Sequence, residues 1–98
     1  MAYTQEEILA VWQKGKVVLN YNPSLYRKDE CGAWMVFDRY GDRNSIYGWE
    51  IDHITPVSKG GSDSLYNLRP LQWENNMAKS NDRLRCVVIA NGNENVRR

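Results

Sequence analysis

One histidine, one phenylalanine, two cysteines and three prolines are all that 98 residues hold of those types, and each scarcity removes a class of construction. Two cysteines cannot build a disulfide framework or a four-thiolate zinc site, so Cys31 and Cys86 are expected to be reduced and buried. A single histidine cannot supply a histidine-rich zinc centre. No Gly-rich phosphate cradle follows a strand-like run, and no G-x-S-x-G elbow is present. No apolar run reaches membrane-spanning length. Residues 1–12 contain Glu6 and Glu7 and lack a basic lead, unlike a signal peptide, and the expected location is cytoplasmic. The net charge of +1 denies the chain a grossly basic surface.

What is present fits one domain over 1–98 with a modest core, enough to bury roughly 60–65% of the unfolded surface. Thr4 and Glu7 form a capping-box pattern ahead of Ile8, Leu9 and Trp12, which predicts a helix ended by Gly15. Residues 16–21, KVVLNY, read as a short strand closed by Asn22-Pro23, with Trp12, Val17 and Leu19 as core. Residues 24–30 read as a loop or a helical turn, in which Arg27 is a solvated or structurally paired side chain. The apolar run 31–37 fits a buried strand, 38–45 is a charged turn region with solvated Arg39 and Arg43, and 84–90 reads as a second buried strand. The polar end, 91–98, reads as a flexible tail.

The chemistry concentrates in residues 49–81, WEIDHITPVSKGGSDSLYNLRPLQWENNMAKSN. Asp52 and His53 end a strand-like run in which alternation puts Trp49, Ile51 and His53 on one face and Glu50, Asp52 and Ile54 on the other. A shared site therefore requires a strand end, a twist or a bulge, and Pro56 stops regular pairing just downstream. Gly60-Gly61 supplies positive φ values and Ser62-Asp63 local backbone bonds. Leu68 and Leu71 bracket Arg69-Pro70 in a short edge strand. A helix then places Trp73, Asn76, Met77 and Ser80 at helical spacing, with Lys79 one turn beyond Asn76. An Asp carboxylate and an Asn amide oxygen are hard donors suited to Mg²⁺ or Mn²⁺, and a neutral imidazole nearby can take a proton from water. Within 49–76, Glu50, Asp52, Asp63 and Glu74 outnumber Lys59 and Arg69. From 77 onward Lys79, Arg83, Arg85, Arg97 and Arg98 outnumber Asp82 and Glu94. An acidic pocket that needs a cation thus adjoins a basic flank.

These residues resemble the HNH endonuclease family, the ββα-metal nucleases. The carriers are Asp52-His53, Gly60-Gly61-Ser62-Asp63, Asn67-Leu68, and Asn75-Asn76 with Lys79; residues 26–34, YRKDECGAW, look like the lead-in of some bacterial members. The resemblance implies a small α+β fold with a central ββα unit, flanked by the N-terminal helix and further short strands. It implies hydrolysis of DNA phosphodiesters with one divalent cation, Mg²⁺ first and Mn²⁺ or Ni²⁺ next. By the same resemblance His53 is the general base, Asn67 fixes the loop that orients it, and Asp52 and Asn76 hold the metal. Lys59, Arg69, Lys79 and Arg83 are the candidate phosphate contacts. DNA is the implied partner, no membrane is implied, and a larger protein complex and the oligomeric state stay open. Many relatives carry two Cys pairs around a structural zinc; here Gln72 and Asn75 stand where the second pair falls and Cys31 has only Trp34 three residues on, so no structural zinc is expected. The alternative is a nucleic-acid-binding module of this fold with little activity alone. A scaffold that merely retains the motif is disfavoured by intact Asp52, His53 and Asn76.

Overall fold

Helix α1 (Gln5–Trp12) starts where the sequence places it. Thr4 Oγ1 accepts from the Glu7 amide at 3.1 Å and the Glu7 carboxylate accepts from the Thr4 amide at 2.8 Å, closing the capping box. The computed structural model describes residues 2–80 and 83–98; Asn81, which ends the motif stretch, and Asp82, counted in the basic flank, lie outside the described residues. The helix buries Ile8, Val11 and Trp12 rather than Leu9, which is exposed, because positions i, i+3 and i+4 share a helical face. That stripe meets Met35, Trp49 and Leu68 in the core. The Trp12 ring lies 5.1 Å from that of Trp49 and 5.4 Å from that of Phe37. Both indole N–H groups are satisfied, Trp12 by the Pro23 carbonyl and Trp49 by that of Phe37.

Six short strands among the described residues pair as three antiparallel ribbons: β1 (Tyr26–Lys28) with β2 (Trp34–Val36), β3 (Trp49–His53) with β4 (Leu68–Gln72), and β5 (Val88–Asn91) with β6 (Glu94–Arg97). Helix α2 (Trp73–Ala78) follows β4 without a break. The arrangement is α+β. Between β3 and β4 the register runs from Trp49 opposite Gln72 to His53 opposite Leu68 without a bulge. Pro70 sits within β4, which a two-stranded ribbon tolerates because one edge is unpaired. No helix among the described residues is long and apolar enough to cross a membrane.

Four expectations are corrected. Residues 16–21 form no strand: only Lys16 bridges, to Lys28, and Val17 and Leu19 are 61% and 85% exposed. A β-branched run needs a partner edge, and here Asn20 turns the chain with φ 73°. The strand lies instead at β1, where Arg27 ties down the carbonyls of Pro23, Gln13 and Gly15. The end of the chain is no loose tail: β6 pairs along β5, and buried Asn95 donates to the carbonyls of Trp34 and Ile46 while accepting from the Trp34 amide. Cys31 and Cys86 are joined as a disulfide, Cα–Cα 5.4 Å, across a sequence separation of 55. The bond pins the turn between β1 and β2 to the segment entering β5, against the expectation of two reduced thiols. A loop of that length limits the unfolded chain, so Cys31→Ser/Cys86→Ser is expected to lose about 2–4 kcal/mol in urea unfolding. A midpoint equal to the parent's would show that the bond contributes nothing.

Candidate active site

The corner between β4 and α2 is set by three buried polar side chains. Asp29 Oδ2 accepts from the Gln72 amide at 3.0 Å and from Asn75 Nδ2 at 3.1 Å, while Oδ1 accepts from the amides of Cys31 and Ala33, both at 2.9 Å. Gln72 Oε1 caps α2 through the Glu74 and Asn75 amides. Asn75 Oδ1 accepts from the amides of Val87 and Val88, and its Nδ2 also donates to the Val88 carbonyl. Gln72 and Asn75 thus weld three segments together by hydrogen bonds. Burial pushes the Asp29 carboxyl above the usual range, and the four donors hold it down in part.

With α2 anchored, its side chains meet one face of β3. Glu50 and Asp52 share that face. Asn76 Nδ2 donates to Glu50 Oε1 at 3.0 Å, and Arg43 grips the same carboxylate through two bonds of 2.7 and 3.0 Å. Asp52 is 7% exposed. Its Oδ1 accepts from Lys79 Nζ and its Oδ2 from Arg69 Nε, each at 2.8 Å. Lys79 also donates to the His53 carbonyl at 2.6 Å, and Arg69 reaches Glu30 at 3.1 Å. Arg69 and Lys79, expected at phosphates, therefore spend their charge on Asp52. Lys59 lies in an exposed 3-10 turn (Val57–Lys59) and exposed Arg83 flanks a shallow cleft with Ser80, Leu84 and Arg85.

His53, the last residue of β3, projects from the other face. Its Nε2 lies 2.7 Å from Asp63 Oδ1. The loop that delivers Asp63 is closed by Asn67, whose Oδ1 accepts from the Thr55 amide at 2.9 Å and whose Nδ2 donates to the carbonyls of Thr55 at 3.1 Å and Ser62 at 2.7 Å. Gly61 permits the closure: a Cβ there would stand 1.7 Å from the Thr55 carbonyl oxygen and 2.9 Å from Asn67 Nδ2. Asp52 and His53 are adjacent but divergent: the regular register carries their side chains to opposite faces at the end of β3, with no bulge between them.

The partners of two residues escaped the sequence reading. Glu50 was counted in the acidic pocket and placed on the Asp52 face by alternation, yet not linked to Asn76 or Arg43, although that shared face could have found the link. Asp63 was read as a turn former, a carrier of the resemblance and one of the acids of the pocket, and nothing local signals that it would reach a histidine ten residues back. Burial pushes the Glu50 carboxyl up, but hydrogen bonds from Arg43 and Asn76 and the Arg43 charge outweigh burial and hold it below the usual range. A depressed carboxyl adds stability above its unfolded value, about 4.3, that is lost as pH falls through its folded value. Arg43→Gln is therefore expected to move the Glu50 titration upward in carboxyl NMR and to start acid unfolding at higher pH; an unmoved titration would contradict the pairing.

Among the described residues no group of three or more His, Cys, Asp or Glu is gathered to hold a metal. The donors on the α2 side are hard oxygens, from Asp52, Glu50 and the Asn76 amide, and the Lys79 ammonium already sits on Asp52 and the His53 carbonyl as a cation would. Carboxylate and amide oxygens are the donor types that a hard divalent cation takes. The family model described as HNH endonuclease matches residues 37–82. No curated protein and no solved structure matches the chain.

Proposed function

The chain belongs to the HNH endonuclease family through residues 37–82, and from that premise we propose that it is a metal-dependent DNA endonuclease built on a central ββα-metal unit of β3, β4 and α2. The observation that carries the reading is the 2.7 Å contact between His53 Nε2 and Asp63. A carboxylate only accepts, so in the neutral imidazole Nε2 holds the proton and Nδ1 keeps its lone pair for a proton from water. Asp63 then stabilises the imidazolium that forms. Asn67 acts as a positioning residue, since its three bonds hold both ends of the loop that carries Asp63.

Asp52 and Asn76 would hold the divalent cation, Mg²⁺ or a close substitute. When bound it supplies positive charge against the phosphate and the leaving 3′ oxygen. Arg69 fixes the Asp52 carboxylate in orientation, and Lys79 balances its charge. Lys59 and Arg83 are the outward phosphate contacts. DNA is the proposed partner.

One observation favours a second reading, a nucleic-acid-binding module with little activity alone: both Asp52 oxygens are already taken by cations. Incubating the protein with supercoiled plasmid and Mg²⁺ or Mn²⁺, with and without chelator, separates the two. Nicking that the chelator abolishes supports the nuclease, and DNA binding without nicking under any metal supports the module.

A further inference from the structure

Outside residues 37–82, backbone pairing sets two lysines directly opposite each other. The Lys16 amide donates to the Lys28 carbonyl at 2.8 Å and the Lys28 amide to the Lys16 carbonyl at 2.9 Å, an isolated antiparallel bridge. Reciprocal bonds of this kind put both side chains on one face, where two like charges destabilise the pairing. Nothing in the local fold requires a lysine at both positions, because the bridge is made by main-chain atoms alone.

Both lysines line a cleft of about 400 Å³ together with Lys14, Ile54, Arg69 and Pro70. The two acids at its wall, Asp29 and Glu30, are committed elsewhere, Asp29 to four donors and Glu30 to Arg69. Lys14 Nζ is spent on the carbonyls of Leu65, at 2.7 Å, and Leu68. Among the described residues neither Lys16 nor Lys28 has a carboxylate partner. The Lys28 ammonium lies 4.8 Å from the centre of the Trp34 ring, which holds it without neutralising it. Two of its lining residues adjoin the site: Ile54 follows His53 in the chain, and Arg69 holds Asp52.

We infer that this cleft binds the sugar-phosphate backbone of a nucleic-acid strand, with Lys16 and Lys28 as the phosphate contacts. The inference rests on the nuclease reading and adds residues beyond the family segment to its substrate path. An anion between the two ammonium groups turns their mutual repulsion into shared attraction, so the like-charge rung is favourable only when the cleft is filled.

The test measures binding of a fluorescein-labelled DNA duplex by anisotropy, over a salt series in chelator, so that no cleavage intervenes. Lys16→Gln/Lys28→Gln is expected to weaken binding about tenfold or more and to flatten the slope of log affinity on log salt by roughly 2, since each phosphate contact contributes about 0.9. Arg39→Gln/Arg97→Gln, which removes as much charge outside the cleft, should leave the slope near the parent's, and Lys16→Arg/Lys28→Arg should restore it. Parent-like binding by the Gln pair, or a loss no greater than in the Arg39 and Arg97 control, would overturn the assignment. Inorganic phosphate that binds the parent at this cleft while DNA does not would also overturn it. A parent that neither binds nor cuts DNA rejects the nuclease reading and the cleft together, whereas a parent that cuts while the Gln pair binds normally rejects only the cleft.

Discussion

Asp29→Ala is expected to lose about 4 kcal/mol of stability, because one truncation strands four donors, three of them in buried bonds, and each costs about 1 kcal/mol or more when unmet. The amides of Cys31, Ala33 and Gln72 and the side chain of Asn75 all donate to this carboxylate. They come from the β1–β2 turn, from β4 and from α2, so their loss loosens the corner that presents Asn76 and Lys79. Asp29→Asn, which keeps one acceptor oxygen and relieves a buried charge, should lose clearly less. Urea unfolding of the two variants checks the ordering; equal midpoints for Asp29→Ala and the parent would mean that the network is a consequence of the fold and does not hold it together.

His53→Ala is expected to lower the rate of plasmid cleavage by roughly 10² or more while leaving the metal in place, since a general base contributes about that factor and the proposed ligands lie on the opposite strand face. Asp63→Asn should give a smaller loss, because an amide still accepts from Nε2 but carries no charge to stabilise the imidazolium. Single-turnover cleavage at saturating Mn²⁺ separates these steps from binding. Unchanged turnover in His53→Ala would remove the histidine from the chemistry.

How far the fold could be read in advance depended on whether a signal was local. The capping box at Thr4 and Glu7 was legible, and so was the divergence of Asp52 and His53, because both follow from fixed helical and strand periods. Residues 16–21 were misread because β-branched composition states a preference, while a strand also needs an edge to pair with. The hairpin closing the chain left a mark that went unused: Gly92-Asn93, between the paired ends Asn91 and Glu94, is a two-residue turn signal with glycine first, and Gly92 takes φ 65°. Cys31 and Cys86 gave none, since spacing between two lone cysteines carries no pairing information. The same limit hid Asp63 from His53 and Asp29 from Asn75. Each pair depends on how a loop or a turn folds back, which no periodicity encodes.

The proposal turns on whether Asp52 and Asn76 hold a divalent cation beside His53, and calorimetric titration of Mn²⁺ into the DNA-free protein tests that most directly. His53→Ala should bind as the parent does. Asp52→Ala should weaken binding more than Asn76→Ala, because a carboxylate supplies charge as well as an oxygen and an amide supplies only the oxygen. Parent-like Mn²⁺ affinity in both ligand variants would contradict the account and leave the Asp52–Lys79 and Asp52–Arg69 pairs as structure alone.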